Sequence, residues 1–286
     1  MTIKIGTRKS RLALAQTEML VKALKKRFPD VKVETVHIST TGDKILGKPL
    51  ANLGGKGAFI KELEMSLLNG ETDIAVHSAK DLPADVAKGL EISAVLPRGS
   101  FGDVLVTRND FEIKDGFVIG TGSLRRKFFA EKIYPFAKFT DIRGNVDTRL
   151  KKLLNGEYDA LVLARAGLER LGLYSGDGYT VTPFDTANFL PAPCQGIVAL
   201  ESKKNSEISD MLAEIGDINT MLSFETERQV LYSLNADCSA PIGAISTVET
   251  GRITLSLSAD CKKIVSGSDK ISNRIELAKR LVNKIE

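Results

Sequence analysis

The chain has 286 residues, 43% of them hydrophobic and 27% charged, an ordinary globular composition with enough length for two or three domains that each bury a core. Its net charge of +4 is too small to indicate nucleic-acid binding by itself. No apolar run approaches the roughly 20 residues of a membrane span, and the N-terminus lacks the apolar core of a signal peptide, so we expect a cytoplasmic protein.

The first predicted elements are a strand at 3–5, a loop at 6–10 and an amphipathic helix that extends to about Phe28. The same design returns in the second half, where a strand at 117–119 leads through the loop 120–123 into another helix. Both loops contain Gly-Thr just before a helix, and a helix N-terminus with free N–H groups suits an anion. Each half therefore has a candidate anion site after its first strand.

The stretch 73–83 joins a short apolar run to two adjacent charges. The run 74–76 is typical of a buried strand, and Lys80 and Asp81 follow it shortly before Pro83. In open α/β sheets, ligands bind at the carboxyl ends of the strands. We therefore interpret Lys80 and Asp81 as candidate site residues, the alternative being a solvated turn with an incidental ion pair.

A second correspondence between the halves supports an internal duplication. Asn-Gly-Glu occurs at 69–71 and again at 155–157, each time between a helix and a predicted buried strand. This order predicts two copies of one α/β unit with mainly parallel strands. A cleft between the two copies is the expected ligand site, with Lys80 and Asp81 in one copy and the region of Arg165 in the other at comparable strand ends.

The first copy contains an additional segment. Thr7 and Asn69 are 62 residues apart, whereas Thr121 and Asn155 are 34 apart. Much of the excess lies in 40–57, which is rich in Gly and Lys and has little periodicity. We interpret it as a lid over the site, with a disordered spacer as the alternative, and helical spacing resumes over 59–68.

The last third of the sequence predicts a return to the first domain and a third domain. A Pro-stiffened segment at 189–200 leads into a strand that crosses back. A helix from about Asn219 to Leu234 follows, then strands at 242–248, 252–258 and 263–267 and a helix from about Ser272. The predicted domains are 1–96 with 191–214, then 97–190, then 215–286.

Side-chain chemistry favours an anionic ligand over a metal. Three widely spaced cysteines argue against a disulfide framework or a zinc cluster, and of the two histidines we expect His37 to serve packing. Six arginines fall within 125–170, and the planar guanidinium suits carboxylate or phosphate. They are Arg125, Arg126, Arg143, Arg149, Arg165 and Arg170.

Four motifs in this order are similar to one enzyme family. They are His-Ser-Ala-Lys-Asp-Leu-Pro at 77–83, Thr-Gly-Ser-Leu-Arg-Arg at 121–126, Arg-Gly-Asn-Val-Asp-Thr-Arg at 143–149 and Cys-Ser-Ala-Pro-Ile-Gly at 238–243. The chain resembles the porphobilinogen deaminases, also called hydroxymethylbilane synthases, over nearly its whole length.

The resemblance implies a cytoplasmic, monomeric transferase of tetrapyrrole and heme biosynthesis that binds neither nucleic acid nor membrane. Such an enzyme joins four porphobilinogen molecules head to tail, releasing ammonia each time, and then frees the linear tetrapyrrole by hydrolysis. It carries a dipyrromethane cofactor held by a cysteine thioether. Because each pyrrole bears an acetate and a propionate, the growing chain is a polycarboxylate, which suits the arginines.

Carried over by motif, the resemblance makes Asp81 the catalytic carboxylate. It would supply a proton to the departing amine and stabilise the azafulvene cation left behind. The implied cofactor site is Cys238 as covalent anchor with Lys80, Asp81, Thr121, Ser123, Arg125, Arg126, Arg143 and Gly144. The implied substrate site, to which the internal repeat adds Arg165, is Ser10, Arg11, Gln16, Lys56, Phe59, Arg143, Arg149, Arg165 and Arg170.

Two positions depart from the family pattern. Ala236 and Asp237 replace the usual Gly-Gly before the cofactor cysteine. If that loop needs positive φ, Ala is strained there, and a carboxylate beside the thiol disfavours the thiolate. Cys194 stands where Gly commonly precedes Gln195, and we interpret it as a small buried hydrophobe.

Together these elements predict an α/β fold: two duplicated, periplasmic-binding-protein-like α/β domains with an inter-domain cleft, plus a small C-terminal α+β domain. The same architecture leaves an alternative function open, a non-catalytic binding protein for an anionic small molecule. Such a protein has no use for Cys238 in a third domain. Nucleic-acid binding ranks third, because carboxylates interrupt the arginines and aromatic residues are only 6% of the chain.

Overall fold

The computed structural model describes residues 1–41, 60–83, 85–237 and 239–285. The chain divides into two compact units, Met1–Arg98 with Ile197–Phe224, and Gly99–Gly196 with Glu225–Glu286. The chain therefore leaves the first unit after Arg98 and returns to it at Ile197, close to the predicted crossings. The separation of 215–286 as a third domain stays a prediction, as do the predicted boundaries.

Two mixed sheets and one antiparallel sheet are built from strands that we number in chain order. These are β1 (Thr2–Thr7), β2 (Lys32–His37), β3 (Ile74–Ser78), β4 (Leu90–Val95), β5 (Asp103–Arg108), β6 (Val118–Gly120), β7 (Lys138–Thr140), β8 (Ala160–Ala164), β9 (Tyr179–Pro183), β10 (Val198–Lys203), β11 (Gly243–Glu249), β12 (Arg252–Ser258) and β13 (Val265–Lys270).

Helices connect most of these strands. They are α1 (Arg11–Arg27), α2 (Lys61–Asn69), α3 (Leu124–Ile133), α4 (Val146–Leu154), α5 (Arg165–Arg170), α6 (Glu207–Ile215), α7 (Ile218–Ser233) and α8 (Arg274–Val282). Short 3-10 turns occur at Ala79–Asp81 and Ile271–Asn273. In the described part of the chain, no helix has both the length and the apolar character that crossing a bilayer requires.

The first unit contains a sheet of order β2-β1-β3-β10-β4. β1 is parallel to β2 and β3, whereas β10 is antiparallel to both β3 and β4. Four strands of this sheet therefore run in one direction and β10 runs against them. The parallel pairing brings the carboxyl ends of β1 and β3 to one edge.

The sheet of the second unit repeats this plan, with order β7-β6-β8-β5-β9. β6 is parallel to β7 and β8, and the fourth strand, β5, is antiparallel to its neighbours β8 and β9. The predicted duplication is confirmed, because each copy has three parallel strands, one reversed strand and an outer strand. Mainly parallel strands are confirmed too, although the reversed strand in each sheet was not predicted.

Both faces of the first sheet are buried. Ile3, Ile5, Leu20, Leu24 and Leu212 belong to the core on one face, between the sheet and helices α1 and α6. A smaller core on the other face packs the sheet against α2 and comprises Leu63, Leu67, Ala75 and Leu90. Burying each Leu or Ile side chain fully contributes about 1.5–3 kcal/mol. Helices on both faces explain why the central strands read as continuous apolar runs.

The C-terminal residues form the predicted α+β arrangement. β11, β12 and β13 make an antiparallel meander, and α8 packs on it with a core that includes Leu255, Leu277 and Leu281. The three predicted strands lie within three residues of the observed ones. His37 is exposed at the end of β2, so the expectation that it serves packing was wrong.

Candidate active site

In the first unit, Lys80 and Asp81 lie where the sequence predicted them. β3 ends at Ser78, and the 3-10 turn that carries both charges follows at once. The first residue of the turn is held by the core and by the backbone: Ala79 is buried, and its N–H donates to the carbonyl oxygen of Ile197 at 3.0 Å. Lys80 is half-buried and Asp81 is exposed, so the turn holds the Asp81 carboxylate at the strand end in contact with solvent.

The start of α1 lies beside this turn. Ser10 caps the helix by accepting the N–H of Ala13 at 3.2 Å, and the exposed Arg11 is the first helical residue. Gln16 is buried, and its Nε2 donates to the Oγ of Ser78 at 2.8 Å. This bond ties the second turn of α1 to the end of β3. The structure therefore brings the first-unit candidates Ser10, Arg11 and Gln16 to the strand edge that carries Asp81.

In the second unit, the predicted residues follow the carboxyl ends of three neighbouring strands. β6, β7 and β8 are parallel and adjacent, so the segments after them start from one edge of the sheet. The candidates on these segments are Thr121, Ser123, Arg125 and Arg126 after β6, Arg143, Gly144 and Arg149 after β7, and Arg165 and Arg170 after β8. The sequence had predicted a strand end only for the loop 120–123 and for the region of Arg165.

The loop between β6 and α3 is closely packed. Ser123 caps α3 by accepting the N–H of Arg126 at 3.4 Å, and its own N–H donates to Thr121 Oγ1 at 3.2 Å. A Cβ on Gly122 would lie 2.6 Å from Asp141 Oδ1, so a larger residue there would displace that carboxylate. The loop has the strand-to-helix geometry expected for anion binding, and its hydroxyls already accept bonds from the loop and helix.

Arg125 and Arg126 lie inside the second unit, each less than a tenth exposed. Both contact Asp103, the first residue of β5: Arg125 Nη2 is 2.8 Å from Oδ2, and Arg126 Nη2 is 2.9 Å from Oδ1. Arg125 also donates to the carbonyl of Leu190 at 2.6 Å, and Arg126 to that of Val162 at 3.2 Å. Burial lowers the pKa of Arg125, which Asp103 partly opposes and Arg126 reinforces.

Sequence reasoning missed the partners of this arginine pair. Asp103 is a single acidic residue directly before the apolar run 104–106. A lone carboxylate at the start of a buried strand was the one indication in the sequence that it needs a cationic partner. Gln195 completes the arrangement, because its Nε2 donates to Asp103 Oδ1 at 3.0 Å. Two guanidinium groups facing one carboxylate carry a net charge of +1. Contact of Arg125 or Arg126 with a ligand stays a prediction and requires sharing these groups with Asp103.

The arginines after β7 are more accessible. Arg143 is half-buried and its Nε is 3.1 Å from Asp141 Oδ2, a surface pairing of little energetic weight. Arg149 donates from Nε to the carbonyl of Gly144 at 2.7 Å. Gly144 has φ +111°, and a Cβ there would lie 2.9 Å from the side chain of Thr148. Gly144 is therefore required by the loop that orients Arg149.

The two arginines of α5 differ in their surroundings. Arg170 donates from Nη2 to the carbonyl of Gly196 at 2.6 Å, and burial lowers its pKa. Arg165 is paired with Glu169 at 2.7 Å and lies over the ring of Tyr174, and the hydrogen bond to Glu169 raises its pKa. Arg165 follows β8 as the internal repeat predicted, although local partners already occupy its guanidinium.

Comparison with known proteins identifies the family. The family model described as porphobilinogen deaminase, dipyromethane cofactor binding domain matches residues 3–210. The chain belongs to the porphobilinogen deaminase family. Porphobilinogen deaminase of Acetivibrio thermocellus is 43% identical over 256 residues, covering 89% of this chain and 86% of that protein. Probable porphobilinogen deaminase of Methanocaldococcus jannaschii is 41% identical over 297 residues, covering 99% of each.

Solved structures add only a distant likeness. The periplasmic VFT2 domain of Bordetella pertussis BvgS aligns with a TM-score of 0.46 and 16% identity, covering 75% of this chain and 86% of that domain. A likeness at this level carries no argument about function.

The resemblance implied a cysteine thioether as the cofactor's attachment, and the chain has three cysteines. Cys238, Lys56 and Phe59 lie outside the described residues. Cys261 is fully buried, its Sγ lies 3.0 Å from the carbonyl oxygen of Pro241, and burial raises its pKa to about 12. Cys194 is buried as well, in agreement with its interpretation as a small buried hydrophobe. Neither described thiol is suited to attack an electrophile.

The two residues that replace Gly-Gly are not strained. The positive φ before Cys238 belongs to Asn235, at +46°, and neither Ala236 nor Asp237 has one. Asp237 instead forms a turn, accepting the N–H of Ser239 at 2.9 Å on Oδ1. The condition for strain at Ala236, a positive φ at that position, is therefore not met, because Asn235, a residue type that tolerates left-handed backbone, takes that conformation one residue earlier.

The donor set of the site fits a polycarboxylate cofactor. The residues after β6, β7 and β8 offer guanidinium forks and a helix N-terminus, both of which suit carboxylates. Among the described residues, no cluster of His, Cys, Asp or Glu could hold a metal ion. The side chains present thus match dipyrromethane, whose acetate and propionate groups need cationic partners.

Proposed function

We propose that this protein is a hydroxymethylbilane synthase, which polymerises four porphobilinogen molecules into a linear tetrapyrrole with release of ammonia. It works as a monomer in the cytoplasm. Family membership supports the reaction. The observation that carries the assignment of the site is the exposed Asp81 beside Lys80 on the turn after β3, where an α/β sheet binds its ligands.

The cationic side chains bind and orient carboxylates in this proposal. Lys80, Arg11, Arg143, Arg149 and Arg170 provide accessible or half-buried charges, and the N-terminus of α3, which Ser123 caps, adds the positive end of a helix dipole. When bound through Cys238, dipyrromethane supplies the primer on which the pyrrole chain grows. Arginine forks hold each acetate and propionate in a defined orientation.

Asp81 has two tasks in the reaction. Its carboxyl group gives a proton to the amine that leaves porphobilinogen, and the resulting carboxylate stabilises the positive charge that remains on the ring. The neighbouring ammonium of Lys80 holds a substrate carboxylate. Since Asp81 is exposed, product release and water entry for the final hydrolysis need no local unfolding of the turn.

Replacing Asp81 tests the catalytic assignment. Asp81→Asn is nearly isosteric, so the protein should fold and retain its cofactor, while turnover falls by at least about 100-fold. Asp85→Asn is the matched control, because Asp85 is an exposed carboxylate four residues further along the same loop. Steady-state kinetics of both variants decide the matter, and near-normal turnover of Asp81→Asn would exclude the assigned role.

The anchor is tested by mass and by counting thiols. Native protein should exceed the chain mass by two pyrrole units, and after denaturation iodoacetamide should label two cysteines, Cys194 and Cys261. Peptide mapping should place the added mass on Cys238, and Cys238→Ser should lose it together with activity. Three labelled cysteines and no added mass, in protein made with pyrrole supply intact, would favour a binding protein without catalysis.

A further inference from the structure

A histidine and a glutamate form a buried pair behind the site in the first unit. His77 Nε2 lies 2.9 Å from Glu201 Oε2, and the two side chains are 4% and 0% exposed. His77 is on β3, four residues before Asp81, and Glu201 is on the antiparallel neighbour β10. Strand alternation places both side chains with Ala75 on the α2 face of the sheet, away from α1.

Glu64 of α2 extends this pair to the far end of the loop that carries Asp81. Its Oε1 accepts the N–H of Ala87 at 2.9 Å. Burial raises the pKa of Glu64, and the charge of Glu201 raises it further, while the bond to Ala87 and the charge of His77 act in the opposite direction. The pair of His77 and Glu201 therefore lies just before the turn, and Glu64 binds the backbone at the other end of the loop, at Ala87.

Packing alone does not account for this cluster. Leu63, Leu67 and Leu90 belong to the small core under α2 on the same face of the sheet, where apolar side chains of similar volume would avoid the desolvation of buried polar and ionisable groups. Within the described residues, Glu201 Oε1 is buried and has no hydrogen-bond partner, an arrangement that is unfavourable unless the pair has another use.

We propose that His77, Glu201 and Glu64 are positioning residues that hold the loop 78–87 at both ends and so fix the Asp81 carboxylate. This inference rests on the proposed function of Asp81. The hydrogen bonds are directional, unlike apolar packing, so they determine the rotation of the strand end as well as its depth. An error of about 1 Å in the placement of a catalytic group reduces turnover by up to about 100-fold.

A double-mutant design distinguishes positioning from general stability. His77→Ala should lower kcat by about 10- to 100-fold with little change in KM, and His77→Gln, which keeps an amide donor, should recover part of the loss. In an Asp81→Asn background, His77→Ala should have no further effect, because there is no carboxylate left to position. Leu24→Ala is the control, since Leu24 is fully buried in the same unit on the other face of the sheet.

A second measurement does not use activity. Amide hydrogen exchange should show faster exchange at Ala79, Leu82 and Ala87 in Glu64→Ala, with the rest of the first unit unchanged. Glu64 is only half-buried, so this variant decides the question if His77→Ala or Glu201→Gln does not fold. Glu64→Ala should lower kcat when it is introduced into the wild-type protein and should leave kcat unchanged when it is introduced into Asp81→Asn.

Three results would overturn the inference: unchanged kcat in Glu64→Ala and His77→Ala, equal losses in both backgrounds, or an equal loss in Leu24→Ala. Full turnover of Asp81→Asn would instead overturn the proposed function. The two failures are therefore distinguishable.

Discussion

At the residue scale, Cys194 has a backbone conformation that suits another residue type. Its φ is +61° although it has a side chain, and it is buried next to Gly196, whose φ is +87°. Its N–H is fixed by a bond of 2.6 Å to the buried carboxylate of Glu227. A left-handed conformation costs a residue with a Cβ about 1–2 kcal/mol, so the structure holds Cys194 against its own preference.

We expect Cys194→Gly to be more stable than Cys194→Ala by about 1 kcal/mol, since both lose the thiol and only Gly relieves the backbone. Urea unfolding of the two variants measures the difference. Ala199→Gly is the control, because Ala199 is buried in β10 without positive φ and Gly should be destabilising there by about 0.5–1 kcal/mol. Equal stability of Cys194→Gly and Cys194→Ala would contradict the argument from strain.

At the scale of elements, Asp103 joins β5 to the first turn of α3. Asp103→Asn should destabilise the fold by about 3–5 kcal/mol, because it leaves two buried guanidinium groups without their carboxylate. Asp110→Asn is matched to it: Asp110 also pairs with an arginine, Arg108, but is 82% exposed, and should change stability by less than about 1 kcal/mol. Denaturant midpoints of the two variants measure the difference. A loss of stability in Asp103→Asn as small as that in Asp110→Asn would show that the Asp103 network is unimportant for stability.

The order of elements was predictable because each half repeats the same local signals. The Gly-Thr turns and the Asn-Gly helix ends fixed the positions of β1, β3, β6 and β8 from neighbouring residues alone. The reversed strands β5 and β10 were not predictable in this way, since their direction depends on where the chain crosses between units. Local pattern carries no information on that crossing.

The site was predictable as a set of residue types at strand ends, and less so as a set of contacts. Asp81 and Lys80 were placed correctly, because Pro83 and the apolar run define the end of β3. Arg125 and Arg126 were expected at the ligand and lie against Asp103. Their partner is about 20 residues away in sequence on a strand that spacing did not reveal, so only the three-dimensional pairing of β5 with β8 brings it near.

At the scale of the whole molecule, a protein with a net charge of +4 binds a substrate with two carboxylates and a product with eight. We expect KM for porphobilinogen to rise several-fold as the NaCl concentration increases from about 0.01 M to about 1 M, because the Debye length falls from about 30 Å to about 3 Å. Steady-state kinetics across this range, repeated with potassium glutamate to separate chloride binding from screening, checks the expectation. A constant KM would contradict it.

The position of β10 in the first sheet also fixes an order of assembly on the ribosome. β4 reaches β3 only through β10, whose residues are made about 100 residues later. The second sheet uses β5 to β9, a continuous stretch that ends at Pro183. During synthesis at about 5–20 residues per second, the second sheet can form first, because all of its strands are made before β10. The first sheet stays incomplete until β10 has been synthesised. Nascent chains that stop short of residue 203 would therefore expose the open sheet edges that chaperones recognise, and the turn with Asp81 would form only after most of the protein has left the exit tunnel.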